Sequence, residues 1–393
     1  IDGTVVPTEG GVALQAVTRL RLRNPDKKNG AARYVTYPAP ASDVTGGSVV
    51  TETVVISGTA EAPVLTVPPG AWALNVPPDG GAVIEAKQTA GGNGPLVNLQ
   101  FDWGSIAPWG SPLGAVRLTL HFSGGVDAEQ LLFVDPAPVE HDTLRLSWSY
   151  EKFRPSGQVQ VLLIAPGPWR ALRAARSAAA APEATAAHQL ALAAALRPLI
   201  SAEGMPPARS AALRDELLAA LRQAVALEPT NARAHRELSL ALTERAGGSP
   251  ALLAEAVREL KAAYDLAPND GELKASLLKA VDELLAACRQ KGDSEGLLAA
   301  LDIAQAVDTQ RSAERLAAYA DVAVSLLQAG RQQEAEAMIV AGFGQEALDR
   351  YAYLRPQFTA VRGEVQTQSG RRVLRFTLTP NPLALQAAES ALG

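Results

Sequence analysis

From residue 11 to about residue 165, apolar and polar positions alternate with period two, which is the signature of strands that bury one face. In "AVRLTLHFSGG", Val116, Leu118, Leu120 and Phe122 share one face, while Arg117, Thr119 and His121 share the other. "TLRLSWSY" repeats the pattern with Leu144, Leu146, Trp148 and Tyr150, and "GQVQVLLI" with Val159, Val161 and Leu163. Further strand signals are "ALQAVTRLRLR", "ARYVTY", "SVVTETVVIS", "PVLTV", "AWALNV" and "AVIEAKQ", punctuated by Gly, Pro, Asn and Asp. About ten short strands with one apolar face each predict an antiparallel β-sandwich over residues 1–168, of immunoglobulin-like or jelly-roll type. The pattern leaves the strand order open.

At "APGPW" (165–169) the period changes. "RALRAARSAAAAPEATAAHQ" is rich in alanine, the strongest helix former, and Pro182 stops one helix and permits another. This predicts a helical connector over 169–187. From 188 to 355 apolar residues recur at i, i+3, i+4 and i+7, in runs separated by "EGMPPARS", "EPTN", "AGGSP", "APNDG", "RQKGD" and "QAGRQ", so this stretch is expected to be all-helical. Period two returns in "QFTAVRGEVQTQSGRRVLRFTLTP". Val361, Glu364 and Gln366 lead to a turn at "QSG", and Val373, Leu374, Phe376 and Leu378 follow, which predicts a β-hairpin over 356–380 before a tail at 381–393. An isolated hairpin is barely stable in water. It must therefore rejoin the first sheet, cap the helices or pair with another subunit.

The helical half repeats itself. "AVALEPTNA" (224–232) recurs as "AYDLAPNDG" (263–271) and, more weakly, as "AQAVDTQRS" from Ala304, at offsets of about 40 residues. A helix ending in apolar-x-Pro-x-[ND] and followed by a second helix resembles a tetratricopeptide repeat. "AVSLLQAGRQQEAEAMI" (323–339) is similar to a helix, a Gly turn and the start of a second helix, with Leu326, Gly330, Ala335 and Ile339 at fitting positions. The spacing exceeds the usual repeat of about 34 residues, and the aromatic that opens each first helix is missing, so the repeats are divergent. The resemblance implies a solenoid whose stacked helical pairs present an extended surface to a protein partner.

Composition narrows the function. Hydrophobic residues make up 47% and charged residues 20% of 393, enough for two or three folded domains. A net charge of -5 offers no basic footprint for nucleic acid. No run of about 18 apolar residues is present to span a bilayer. The single cysteine, Cys288, excludes an internal disulfide and reads as a small buried apolar residue. His121, His141, His188 and His235 have no metal-ligand spacing, and no nucleophile elbow, P-loop or dinucleotide fingerprint occurs. No catalytic, metal-binding or cofactor-binding residue is therefore predicted, and no cofactor. "APNDGE" (267–272) lacks the alternating acidic ligands of a calcium loop and reads as a turn, as does "NPDKKNG" (24–30).

Two features point to contacts with other molecules. Trp103 and Trp109 share a Gly/Pro-rich loop, where they either stack on a sugar or close the end of the β-domain. "IDGTVV", with Ile1, Val5 and Val6, and the second hairpin strand, with Val373 and Phe376, are β-prone segments that either complete their own domain or add to a neighbouring subunit. The expected protein is a non-enzymatic α+β scaffold that holds protein partners or copies of itself, with self-assembly into an extracellular filament as one form of that role. The alternative is a carbohydrate-binding sandwich on a helical stalk. A start at Ile1, without Met, leads to the expectation that a leader has been removed and that the protein works outside the cytoplasm, at a bacterial surface or in the periplasm.

Overall fold

The computed structural model describes residues 1–8, 11–23, 33–38, 42–44, 49–58, 65–67, 71–76, 81–103, 113–154, 156–328, 330–346, 358–368 and 371–380. The fold is mixed α+β, with sheets in the N-terminal half and helices in the C-terminal half. Contacts divide the chain into two compact units, Ile1–Ala220 and Leu221–Gly393. The turn "NPDKKNG", Trp109, the centre of the "QSG" turn and the 381–393 tail lie outside the described residues.

The first unit is built on two larger sheets. One has the order β12 (Glu140–His141), β13 (Arg145–Phe153), β10 (Leu113–Phe122), β1 (Asp2–Pro7), β2 (Gly11–Arg23), β8 (Gly81–Asn93) and β5 (Val49–Gly58). The other has the order β11 (Leu131–Asp135), β14 (Gln158–Ile164), β9 (Leu96–Asp102) and β4 (Ser42–Val44). A third, smaller sheet joins β3 (Arg33–Pro38), β7 (Ala71–Val76) and β6 (Leu65–Val67).

The period-two faces meet in one core. Leu14, Leu118, Leu120, Leu146 and Trp148 come from the first sheet, and Val97, Leu99, Phe101, Val159, Val161 and Leu163 from the second. Strand register aligns the inward residues, with Leu118 opposite Trp148 and Leu120 opposite Leu146. Each fully buried Leu of this kind contributes about 1.5–3 kcal/mol.

One pairing departs from the antiparallel expectation: β1 runs parallel to β10. The physical reason is connectivity. β2, the next strand in sequence, pairs antiparallel with β1, and β10 arrives more than a hundred residues later, the long crossover that a parallel neighbour requires. Both edges of β1 are thereby paired within the chain, with Val5 buried in the core and Val6 half-buried. The Ile1 carbonyl accepts from Thr119 N at 2.8 Å, and Ile1 N donates to the Arg117 carbonyl at 2.7 Å.

"APGPW" does end the β-rich stretch, and the helix begins inside it. α1 (Pro166–Ala179) has proline in its first turn, where no helical N–H is lost, and buries Trp169 and Leu172. α2 (Ala186–Ile200) follows after a turn, then α3 (Pro207–Leu227). Asp127, in the turn after β10, accepts from the Trp169 indole and from Arg173 through the same oxygen, each at 2.9 Å. Arg176 holds Glu216 through two hydrogen bonds of 2.7 and 2.8 Å and reaches Glu129 at 3.2 Å. α1 is thus anchored to the turn region after β10 and to the first part of α3.

The second unit runs through α4 (Ala232–Ala246), α5 (Pro250–Leu266), α6 (Gly271–Lys291), α7 (Ser294–Val307), α8 (Ser312–Gln328) and α9 (Gln332–Phe343). Each helix packs on the next, and α5 also reaches α7. The apolar stripes of α5, α6 and α7, joined by Ala246 of α4, form one core that includes Leu253, Val257, Leu277, Val281, Leu284 and Leu301, and Ala323 of α8 and Ile339 of α9 form a separate one. β15 (Phe358–Gln368) and β16 (Arg371–Pro380) form an antiparallel pair, with Val373 opposite Gln366 and Phe376 opposite Gly363. β15 lies beside α8, so this pair is held by the helices of its own unit.

Candidate partner-binding groove

The repeated sequence signal becomes a repeated structural joint. Each of its three copies ends one helix and opens the next: α3 to α4, α5 to α6, and α7 to a short helical turn before α8. The [ND] position is a cap. Asn231 accepts from Ala234 N at 3.1 Å, and Asp270 from Glu272 N at 2.9 Å and Leu273 N at 3.1 Å, satisfying amides that the helix leaves unpaired. In the weaker copy, Asp308 accepts from Gln310 N at 3.0 Å and caps the short turn instead.

With the joints fixed, α4 and α6 face each other across a groove of about 530 Å³ floored in part by Leu260 of α5. Leu240, 49% exposed, stands in it. The buried stripe of α4 includes Ala234, Leu238, Ala241 and Leu242, and Leu240 falls off it by helical geometry. Three cations, Arg233, Arg236 and Lys279, line the groove against two carboxylates, Glu237 and Glu283. Arg236 reaches Glu272 at 3.3 Å and Lys279 reaches Glu283 at 4.0 Å, both solvent-exposed pairs of small energetic weight. The Arg233 side chain makes no ion pair or hydrogen bond among the described residues. The groove therefore combines an accessible apolar anchor with a slight excess of positive charge. Sequence reading passed over these residues. The available signal was a leucine placed off an otherwise regular stripe.

Trp103 lies within the first unit's core, 4% exposed, its ring edge-on to Phe153 at 5.5 Å and to Tyr150 at 6.5 Å. A sugar needs an open aromatic face, which this ring does not offer; Trp109 is outside the described residues. His121 and His141 are exposed on β10 and β12, and His188 accepts from Thr185 N at 3.2 Å at the start of α2. His235 is buried on α4, with Nδ1 2.7 Å from Glu259 Oε2 of α5 and Nε2 2.9 Å from the Pro229 carbonyl. Cys288 is buried, and burial, reinforced by the Asp293 carboxylate, pushes its thiol above the usual range. Among the described residues no group of three or more His, Cys, Asp or Glu side chains converges as a metal site, and no helix is long and apolar enough to cross a membrane.

No protein-family model matches the chain, and no curated protein matches it. Among solved structures it is similar to the crystal structure of MamA, at 16% identity over 47% of this chain and 89% of that one, with a TM-score of 0.22. A MamA RS-1 ArsTM double mutant matches at 16% identity over 47% of this chain and 86% of that one, with a TM-score of 0.23. BtubC (BKLC) from P. vanneervenii matches at 13% identity over 52% of this chain and 96% of that one, with a TM-score of 0.17. At such TM-scores these likenesses carry no function across to this chain.

Proposed function

We propose that the protein is a non-enzymatic scaffold in which a tetratricopeptide-like array, α4–α9, holds a segment of a partner protein in the α4/α6 groove, while a β-sandwich forms the N-terminal domain and β15–β16 a terminal hairpin. The carrying observation is Leu240, half-exposed between Arg233, Arg236 and Lys279. A large apolar side chain held open in a groove with excess cations favours a partner segment with an apolar anchor flanked by acidic residues. The array offers the extended surface on which such segments dock.

The test is selection from a displayed peptide library against the full chain. Recovered peptides with an apolar centre and acidic flanks, whose binding is lost in Leu240→Asp and reduced at least tenfold in Arg233→Glu, support the reading. Binders indifferent to Leu240→Asp, or no binders, overturn it. Work outside the cytoplasm, at a bacterial surface or in the periplasm, belongs to the same proposal and is tested by cell fractionation. Self-assembly into a filament is its further form, tested by mass photometry, where a monomer at all concentrations removes it. The carbohydrate alternative has lost its open ring at Trp103 and is not favoured.

A further inference from the structure

The α4/α6 groove suits an apolar anchor with acidic neighbours, and the chain itself displays one. Among the described residues, the large apolar side chains that stand most open are Val139, 65% exposed, Leu144, 57%, and Leu240 of the groove, 49%. Val139 and Leu144 bracket β12 and the turn that leads into β13, and every residue of 139–145 is exposed. β12 stands at one edge of its sheet, with β13 as its one neighbour among the described strands.

The segment is held in shape by its own backbone. Val139 N donates to the Ser147 carbonyl at 2.8 Å, Asp142 N to the Arg145 carbonyl at 2.9 Å, and Leu144 N to the Asp142 carboxylate at 2.8 Å. Docking it therefore costs little conformational entropy. One exposed leucine or valine is ordinary on a protein surface. What sets this segment apart is its match to the groove in charge as well as in apolar exposure. Asp135, Glu140 and Asp142 lie along it, and Arg145 reaches Glu140 at 3.3 Å and Asp142 at 4.0 Å, exposed pairs that leave a net negative charge. The groove carries Arg233, Arg236 and Lys279 against Glu237 and Glu283, a net positive charge. Opposite charges of this kind steer the encounter and fix its register, while the apolar contact supplies affinity.

We propose that the α4/α6 groove binds the 139–145 segment of a second copy of this chain, with Leu144 seated on Leu240 and the acidic side chains towards the groove's cations. This rests on the scaffold reading, whose partner it names. Groove and segment are different surfaces, so the contact is head to tail, and each bound pair keeps one free groove and one free segment for further copies.

Sedimentation velocity of the full chain, from micromolar to submillimolar concentration and in low and high salt, tests it. The expected result is a mean mass that rises with concentration, and less steeply in high salt, because the charges are screened. Leu144→Asp and Leu240→Asp are each expected to weaken association at least about tenfold, with unchanged melting temperatures because both side chains are exposed. Mixed together, the two variants should form dimers and stop there, since one brings an intact groove and the other an intact segment. A monomer at every concentration, association of Leu144→Asp equal to that of the parent, or a mixture that stays monomeric overturns the proposal. If acid-flanked peptides still bind at Leu240 in such a case, the scaffold reading stands without it; if none bind, both fall.

Discussion

His235 meets two acceptors at once, a carboxylate of α5 and a backbone carbonyl of the α3–α4 joint. Removing the ring leaves Glu259 half-buried without this partner and opens the space between the helices. His235→Ala should therefore cost about 2 kcal/mol, read by chemical denaturation. At Gly342, on α9, an added Cβ would lie 2.7 Å from the Tyr319 Cβ and 2.9 Å from its Cγ, atoms near the α8 backbone that cannot swing aside. Gly342→Ala is expected to destabilise by about 1–3 kcal/mol through overpacking, despite alanine's higher helix propensity. Cys288 supplies a pH test. Its thiol holds its proton more firmly folded than unfolded, because burial, and then Asp293, disfavour the thiolate. Between the unfolded thiol's range and the raised folded value the native state binds more protons, so stability falls as pH rises through that window. Cys288→Ala should flatten this part of the stability profile, and a thiol reagent should react with the parent only as fast as the helices open.

At the scale of elements, the helix joints decide where the groove lies. Asp270 accepts two amides at the start of α6 and places that helix opposite α4. Asp270→Ala should lower stability by about 1 kcal/mol, while Asp270→Asn, which can still cap, should lose much less. Comparing the two melting curves separates the cap from the charge. The joint itself was legible, since Leu-x-Pro-x-[ND] appears twice in the sequence at this spacing. The groove was not, because it needs α4 and α6, which are separated by the whole of α5, to face each other. The sheet tells the same lesson. Alternation at 116–122 and 159–163 told which faces would be buried, but the parallel seat of β1 beside β10 rests on a contact across more than a hundred residues.

At the scale of the molecule, the two compact units are expected to differ in how damage spreads. The helices of the second unit contact chiefly their neighbours in sequence, so a defect there should remain local. Leu277, fully buried on α6, is a suitable probe. Leu277→Ala should cost about 2–5 kcal/mol, and hydrogen exchange should show protection lost in α5, α6 and α7 while β10, β13 and β14 keep theirs. Equal loss in the sheets would mean that the units unfold together.

The sequence by itself determined the local periods, the places where they change, the joints between helices and the absence of familiar catalytic motifs. These depend on a few neighbouring residues, whose spacing fixes which face is apolar and where a backbone amide needs a cap. Only the tertiary structure decided that Trp103 is enclosed, that His235 bridges two helices and that Leu240 stands open. Each of these depends on what a distant segment brings alongside. A side chain's type says what it can bind, and its burial and its partners determine what it has left to bind with.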